Sequence, residues 1–308
     1  WSEYKHEKDE EVNFYSRILD GTEWEEPVNV YSDKQIYPNV EIASGRKEKI
    51  YLLLGKVNGA FDKLLLKVCD GRKWEPEKNI IYTKTHIFGY KITASKKSEQ
   101  IYLVFGDYRE RHYFPYILTA ILSGHVCERF GKFYLLKGDG SSWDKPKKIT
   151  KGGRFGCSHP QICLNDEIQH VHFIWEDERL GHRNKAIFYD SFHENRFEGN
   201  RRISIGLANM LAPSIACDNK DNLYVVWSTF NDSIGKLYFR YRIDNSWSKA
   251  VELADSSVIN ALLIDSLGNI HFVWGDGSHV FYKIKCKSFW TKTIKIEGQR
   301  ARICIDKK

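Results

Sequence analysis

The sequence predicts an all-β fold, a six-bladed β-propeller of four-stranded antiparallel blades, and three observations carry that expectation. Residues 213–252 hold four short runs of alternating apolar residues separated by turn formers: Ser214–Cys217, a run ending at Trp227, Lys236–Arg242, and a fourth opening at Trp247. One such meander alone would leave both faces and both edges in water, so it needs neighbours of its own kind. The same unit recurs along the chain. Trp1, Leu54, Phe105, Trp175, Trp227 and Trp274 mark its second strand, and Trp24, Trp74, Trp143, Phe197, Trp247 and Trp290 the start of its fourth. The fourth-strand marks are 50, 69, 54, 50 and 43 residues apart, a period that suits propeller blades, and all nine tryptophans fall on one of the two positions. The two ends of the chain also complement each other. Residues 1–29 begin at a second-strand tryptophan and hold only a third and a fourth strand, whereas residues 301–308 match the first-strand run Asn260–Leu267.

Taken in order, residues 1–29 with 301–308 make the blade shared between the termini, so that the C-terminal first strand closes the ring and no edge stays open. Against residues 260–274 this joint lacks about six residues, the equivalent of the GNIHFV that leads into Trp274. The remaining blades are read at 38–80, 88–149, 160–204, 213–254 and 259–297, all within a single domain of 308 residues. The third is irregular, because residues 107–131 form an insert between its second and third strands. An apolar insert of this kind reads as a lid or contact surface over the ligand face, or as a local repacking. Cys127 within it and Cys157 in the loop beyond are expected to be neighbours, either bridged or as two buried thiols.

Composition narrows the function classes. The net charge of +7 comes from 47 basic and 40 acidic residues spread along the chain, and neither a basic stripe nor a stacking motif argues for nucleic acid. The longest apolar piece, Tyr116–Leu122, is far too short to span a membrane. Seven cysteines without a paired spacing point to no disulfide framework, with Cys163, Cys217 and Cys304 inside first strands as core thiols. No cofactor motif and no metal-ligand spacing is read. The chain starts at Trp1 without methionine, which fits a removed leader or a trimmed end; the location leans to secreted or cell-surface.

One family resemblance runs through nearly the whole chain. A P-x-I first strand, Gly268–Trp274 (GNIHFVW), Trp175–Tyr189 (WEDERLG…IFY) and the D-G-x-x-W-x-x-P runs at Asp20–Pro27 and Asp139–Pro146 resemble the BNR or Asp-box repeats of sialidase-like propellers. The boxes depart from that pattern: Gly21, Gly71 and Gly140 keep their distance from Trp24, Trp74 and Trp143, while Asp20, Asp70 and Asp139 sit one place nearer. The resemblance implies that these turns are structural and face away from the ligand. It also implies that a sialidase would need an arginine triad for the substrate carboxylate, a tyrosine with an adjacent glutamate as nucleophile, and an aspartate acid/base. The Arg-Ile-Pro signature of the first arginine is missing, with Arg302 as the nearest replacement.

On the opposite face, loops after second strands and between blades would meet at a central funnel. They supply the candidate ligand-binding residues Asp107, Arg109, Arg154, Glu176, Asp177, Arg179, Asp276 and Arg300. Carboxylates and arginines with aromatics suit a sugar through planar hydrogen bonds and stacking. Arg179 has a competing reading as the partner of Asp177, and His159 before Pro160 reads as a loop cap. The chain is thus expected to be a carbohydrate-binding, lectin-like or interaction module with a glycan or protein ligand at the funnel. The alternatives are a sialidase-type hydrolase and a non-catalytic scaffold.

Overall fold

A computed structural model describes residues 2–3, 12–17, 19–20, 23–34, 36–58, 61–108, 131–151, 156–180, 184–206, 209–231, 234–255 and 259–298. These residues are all-β, with one short 3-10 turn at Arg46–Glu48 and no α-helix. The insert beyond Tyr108, Cys127 and residues 301–308 lie outside the described residues, and with them the lid and the ring closure.

Six antiparallel sheets follow one another along the chain. The first has three strands, Ser2–Glu3, Val12–Ser16 and Val28–Asp33, with a small ribbon of Leu19–Asp20 and Glu23–Trp24 beside it. The other five each start with a long strand, at Ile36–Ser44, Ile87–Ala94, Cys157–Asn165, Asn209–Cys217 and Ile259–Ile264, and each runs outward in sequence order to a short fourth strand. These starting strands touch one another from sheet to sheet. Between each neighbouring pair of sheets lies one apolar cluster, the first joining Val12 and Phe14 to Leu52 and Leu54, the last joining Val226 and Phe239 to Phe272 and Trp274. Two faces buried per sheet explain second strands such as Ile101–Asp107, in which every residue is buried rather than every other one.

The second-strand aromatics carry this packing, and the fourth-strand ones contribute less than the sequence leads one to expect. Trp175 and Trp227 are each 1% exposed and Trp274 is 5% exposed, all inside the inter-sheet clusters. By contrast Trp24 is 58% and Trp290 36% exposed. Trp24 sits on a two-residue strand and Trp290 on a single bridge to Lys285, so each indole covers one side only.

Each sheet has two different ends. At one, tight turns join first to second and third to fourth strands. In the fourth and fifth sheets the third-to-fourth turns are Glu194-Asn195 and Asp244-Asn245, all four residues with positive φ, as two-residue hairpins of matching twist require. The first-to-second turns of the fifth and sixth sheets are closed by Asp218 and Asp265, each accepting backbone N–H groups two and four residues on. Ser95 and Asn165 occupy that place in the third and fourth sheets, and there the carboxylate comes from the next sheet instead. Asp166 accepts from Ser95 and from the Lys96 and Lys97 amides, and Asp221 accepts from Asn165 Nδ2 at 3.0 Å. Ser95 and Asn165 still accept the backbone N–H two residues on, so the carboxylate of the next sheet adds a clamp between sheets to a turn cap that is kept.

Candidate functional site

The opposite end gathers the second-to-third loops, the connections between sheets and a repeated kink. The first strands of the third, fourth and fifth sheets each slip register here, at Gly89, at His159-Pro160 and at Ala212-Pro213. Gly89, His159 and Ala212 all have positive φ, at 55°, 49° and 49°. Glycine takes that backbone freely, whereas histidine and alanine are strained by it. The sequence reading of His159 as a loop cap is therefore corrected: it is the bulged residue inside a strand.

The strain aims His159 at Glu176. Alternation along His170–Asp177 turns His170, His172, Ile174 and Glu176 toward the fifth sheet and Phe173, Trp175 and Asp177 toward the third. The Glu176 side chain is completely buried, with His159 Nδ1 at 2.9 Å from Oε1 and the Ala212 amide donating to the same oxygen at 2.8 Å. Ser158 Oγ donates to Oε2 at 2.8 Å, and Lys185 Nζ stands at 3.5 Å, shared with Glu178. Burial by itself would raise the Glu176 pKa. The hydrogen bond and charge of His159, with the Ala212 and Ser158 donors, outweigh burial and hold it below the usual glutamate value. The His159 side chain is 64% exposed, so a buried ionised carboxylate fixes one ring nitrogen while most of the imidazole stays in water. Two further carboxylate–histidine pairs stand at this end, Asp62 with His86 at 3.5 Å and Asp276 with His279 at 3.4 Å.

The other candidates separate into different roles. Asp177 faces away from Glu176 and accepts from Trp175 Nε1 at 2.8 Å and from Arg179 Nε at 2.9 Å. Arg179 reaches Asn200 at 3.3 Å and lies over the Phe188 ring at 4.0 Å, so its guanidinium is largely committed to holding the loop. Asp276 caps a tight turn through the Ser278 and His279 amides, which hold its pKa low. Asp107 is fully buried at a strand end, opposite Ile87 and Lys132. Arg109, Arg154 and Arg300 lie outside the described residues. Cys157 is a buried free thiol donating to the Gly131 carbonyl, and burial pushes its pKa up. Sequence reasoning missed Ser158, Lys185 and the Ala212 amide. The available signal was the X-Pro pair in the first strands of the fourth and fifth sheets, which marks two of the three bulges.

No family model and no curated protein matches the chain. Solved structures do. A Hadza microbial sialidase superposes with a TM-score of 0.56 at 11% identity, covering 84% of this chain and 58% of its own. A mutant of the NanB sialidase from Streptococcus pneumoniae gives 0.58 at 9%, covering 88% and 63%. The fold is that of sialidase-like β-propellers. An ulvan lyase bound to a glucuronic acid–sulfated rhamnose unit follows with 0.51 at 12%, covering 86% and 67%. The propeller thus spans about three-fifths of the length of the two sialidases it resembles. Among its described residues no helix is long and apolar enough to cross a membrane.

Proposed function

We propose that the chain is a lectin-like propeller that binds a glycan at the loop end of its sheets, around His159 and Glu176. The observation that supports this reading is the buried, ionised Glu176 holding a largely exposed imidazole in a strained bulge, since backbone strain of this kind collects at sites where a side chain must be aimed. Sialidases and a polysaccharide lyase among the structural neighbours favour a sugar as the ligand. Binding is favoured over sialidase-type hydrolysis because Arg179 is occupied by Asp177 and the Arg-Ile-Pro signature is missing. A protein ligand at the same face is the second reading. In the same proposal the chain forms one domain over residues 1–308, a six-bladed ring closed by residues 301–308 and exposed to extracellular glycans.

A glycan array probed with the purified chain should give a defined set of bound sugars. His159→Ala should weaken that binding at least tenfold while leaving the melting temperature within a few degrees. Fluorogenic sialosides should release no sialic acid above background. An array without hits, or turnover abolished by Arg179→Ala or Arg302→Ala, would overturn the reading.

A further inference from the structure

We propose that His170 Nδ1, His172 Nε2 and Asp221 form a binding site for a divalent transition-metal ion of the zinc type, at the turn end of the gap between the fourth and fifth sheets. The two histidines are two apart on one strand and so share a face, while Asp221 reaches across from the first-to-second turn of the next sheet. Its backbone has φ of +67°, a strained value for aspartate, in a turn of the form that presents the carboxylate to the neighbouring sheet. Asp221 Oδ2 is 3.0 Å from His170 Nδ1, and Oδ1 is 2.9 Å from His172 Nε2. One ligand atom from each residue lies within 4.8 Å of the others. Zinc bonds of about 2.0–2.1 Å at tetrahedral angles place two ligand atoms roughly 3.3 Å apart, so an ion enters with small movements.

The surroundings have the form that metal ligands require on their far side. A ligating imidazole usually donates its second nitrogen to an oxygen acceptor, and a ligating carboxylate is itself hydrogen-bonded. Tyr189 Oη stands 3.0 Å from His172 Nδ1, and Arg242 holds Asp221 Oδ2 at 3.0 Å. His170 is 6% exposed, and its Nε2 has no hydrogen-bond partner among the described residues, with the nearest Glu198 oxygen at 3.8 Å. With His170 Nδ1 on the ion, its outer Nε2 would face Glu198, the arrangement expected of a ligating imidazole. A third imidazole, His193, has its ring centre 5.0 Å from that of His170. Charge agrees: the carboxylates of Asp221 and Glu198 against the Arg242 guanidinium leave one net negative charge beside the imidazoles. Two imidazoles with one carboxylate select zinc, nickel or copper over calcium or magnesium.

The sixth sheet supplies an internal control. His271 sits between Tyr282 Oη at 2.7 Å and Asp265 Oδ2 at 3.1 Å, the same pairing of histidine, tyrosine and aspartate without a second histidine. The untagged full chain, stripped with chelator, should bind one equivalent of ZnCl2 or NiCl2 in equilibrium dialysis and melt at higher temperature with the metal. His170→Gln and Asp221→Asn, which keep the side-chain volumes, should each weaken binding at least thirtyfold, whereas His271→Gln should not change it. Absence of binding at 100-fold excess of metal would overturn the proposal. So would binding that survives both substitutions, or equal uptake of CaCl2.

Discussion

Trp175 and Trp227 occupy the same strand position in successive sheets and are equally buried, yet they should respond differently to the same substitution. Trp175 Nε1 donates to the buried Asp177, whereas Trp227 Nε1 finds no acceptor among the described residues. Trp175→Phe removes one of two hydrogen bonds to the Asp177 Oδ2 carboxylate oxygen, the other coming from Arg179 Nη2, at a cost of about 1.5–3 kcal/mol beyond the lost ring volume, while Trp227→Phe removes an unsatisfied N–H. Urea unfolding should therefore rank Trp175→Phe as the more damaging by at least about 1 kcal/mol. Equal losses would show that the Asp177 bond carries no net stability. Glu176 makes a pH prediction. Its folded pKa lies below the unfolded value of about 4.3, so its stabilising contribution is fully present above that pH and is lost as pH falls through the folded value. The stability difference between the natural chain and Glu176→Gln should be about 1–3 kcal/mol at pH 7 and should shrink steadily below pH ~4. A difference that grows on acidification would contradict the assignment of Glu176 as ionised.

At the scale of the strand, the repeated bulge permits an opposed pair of substitutions. Ala212 has a φ that costs an L-residue roughly 1–2 kcal/mol, so Ala212→Gly should stabilise the chain slightly, by about 0.5 kcal/mol after glycine's own entropy cost. At the equivalent Gly89 an added Cβ would lie 2.9 Å from Pro160 Cδ with φ at +55°, so Gly89→Ala should lower the melting temperature clearly. Shifts of the same sign at both positions would show that the bulges are not equivalent. The strands themselves were legible in the sequence because each is a run of alternating or continuous apolar residues between turn formers. Trp175, Trp227 and Trp274 registered them to one another. The bulges were harder to read, since Gly89-Tyr90, His159-Pro160 and Ala212-Pro213 share a backbone shape and little chemistry. The His170–His172–Asp221 group was hidden for a related reason: its third member comes from another sheet, and no spacing along one strand encodes a contact between two. Glu176 was legible as a residue at a strand end, but its pairing with His159 was not, because His159-Pro160 can mark a bulge without giving the direction of the imidazole.

For the whole molecule, five inter-sheet clusters among the described residues join six sheets in succession, and ring closure is a proposal that would add a sixth joint. Closure by residues 301–308 predicts that a chain ending at residue 298 loses more than one strand's contacts, because two sheet edges become open at once. Its thermal transition should fall by 10 °C or more and broaden, whereas a chain closed by another route would melt nearly unchanged. The two ends of the sheets have been assigned different work, ligand binding at the loop end and clamping between sheets at the turn end, and that division is the centre of the account. Hydrogen–deuterium exchange with and without the best array glycan tests it most directly. Protection confined to residues 157–160, 176–186 and 209–212 is the predicted result, and protection confined to the turns at 165–170, 194–196 and 218–222 would contradict it.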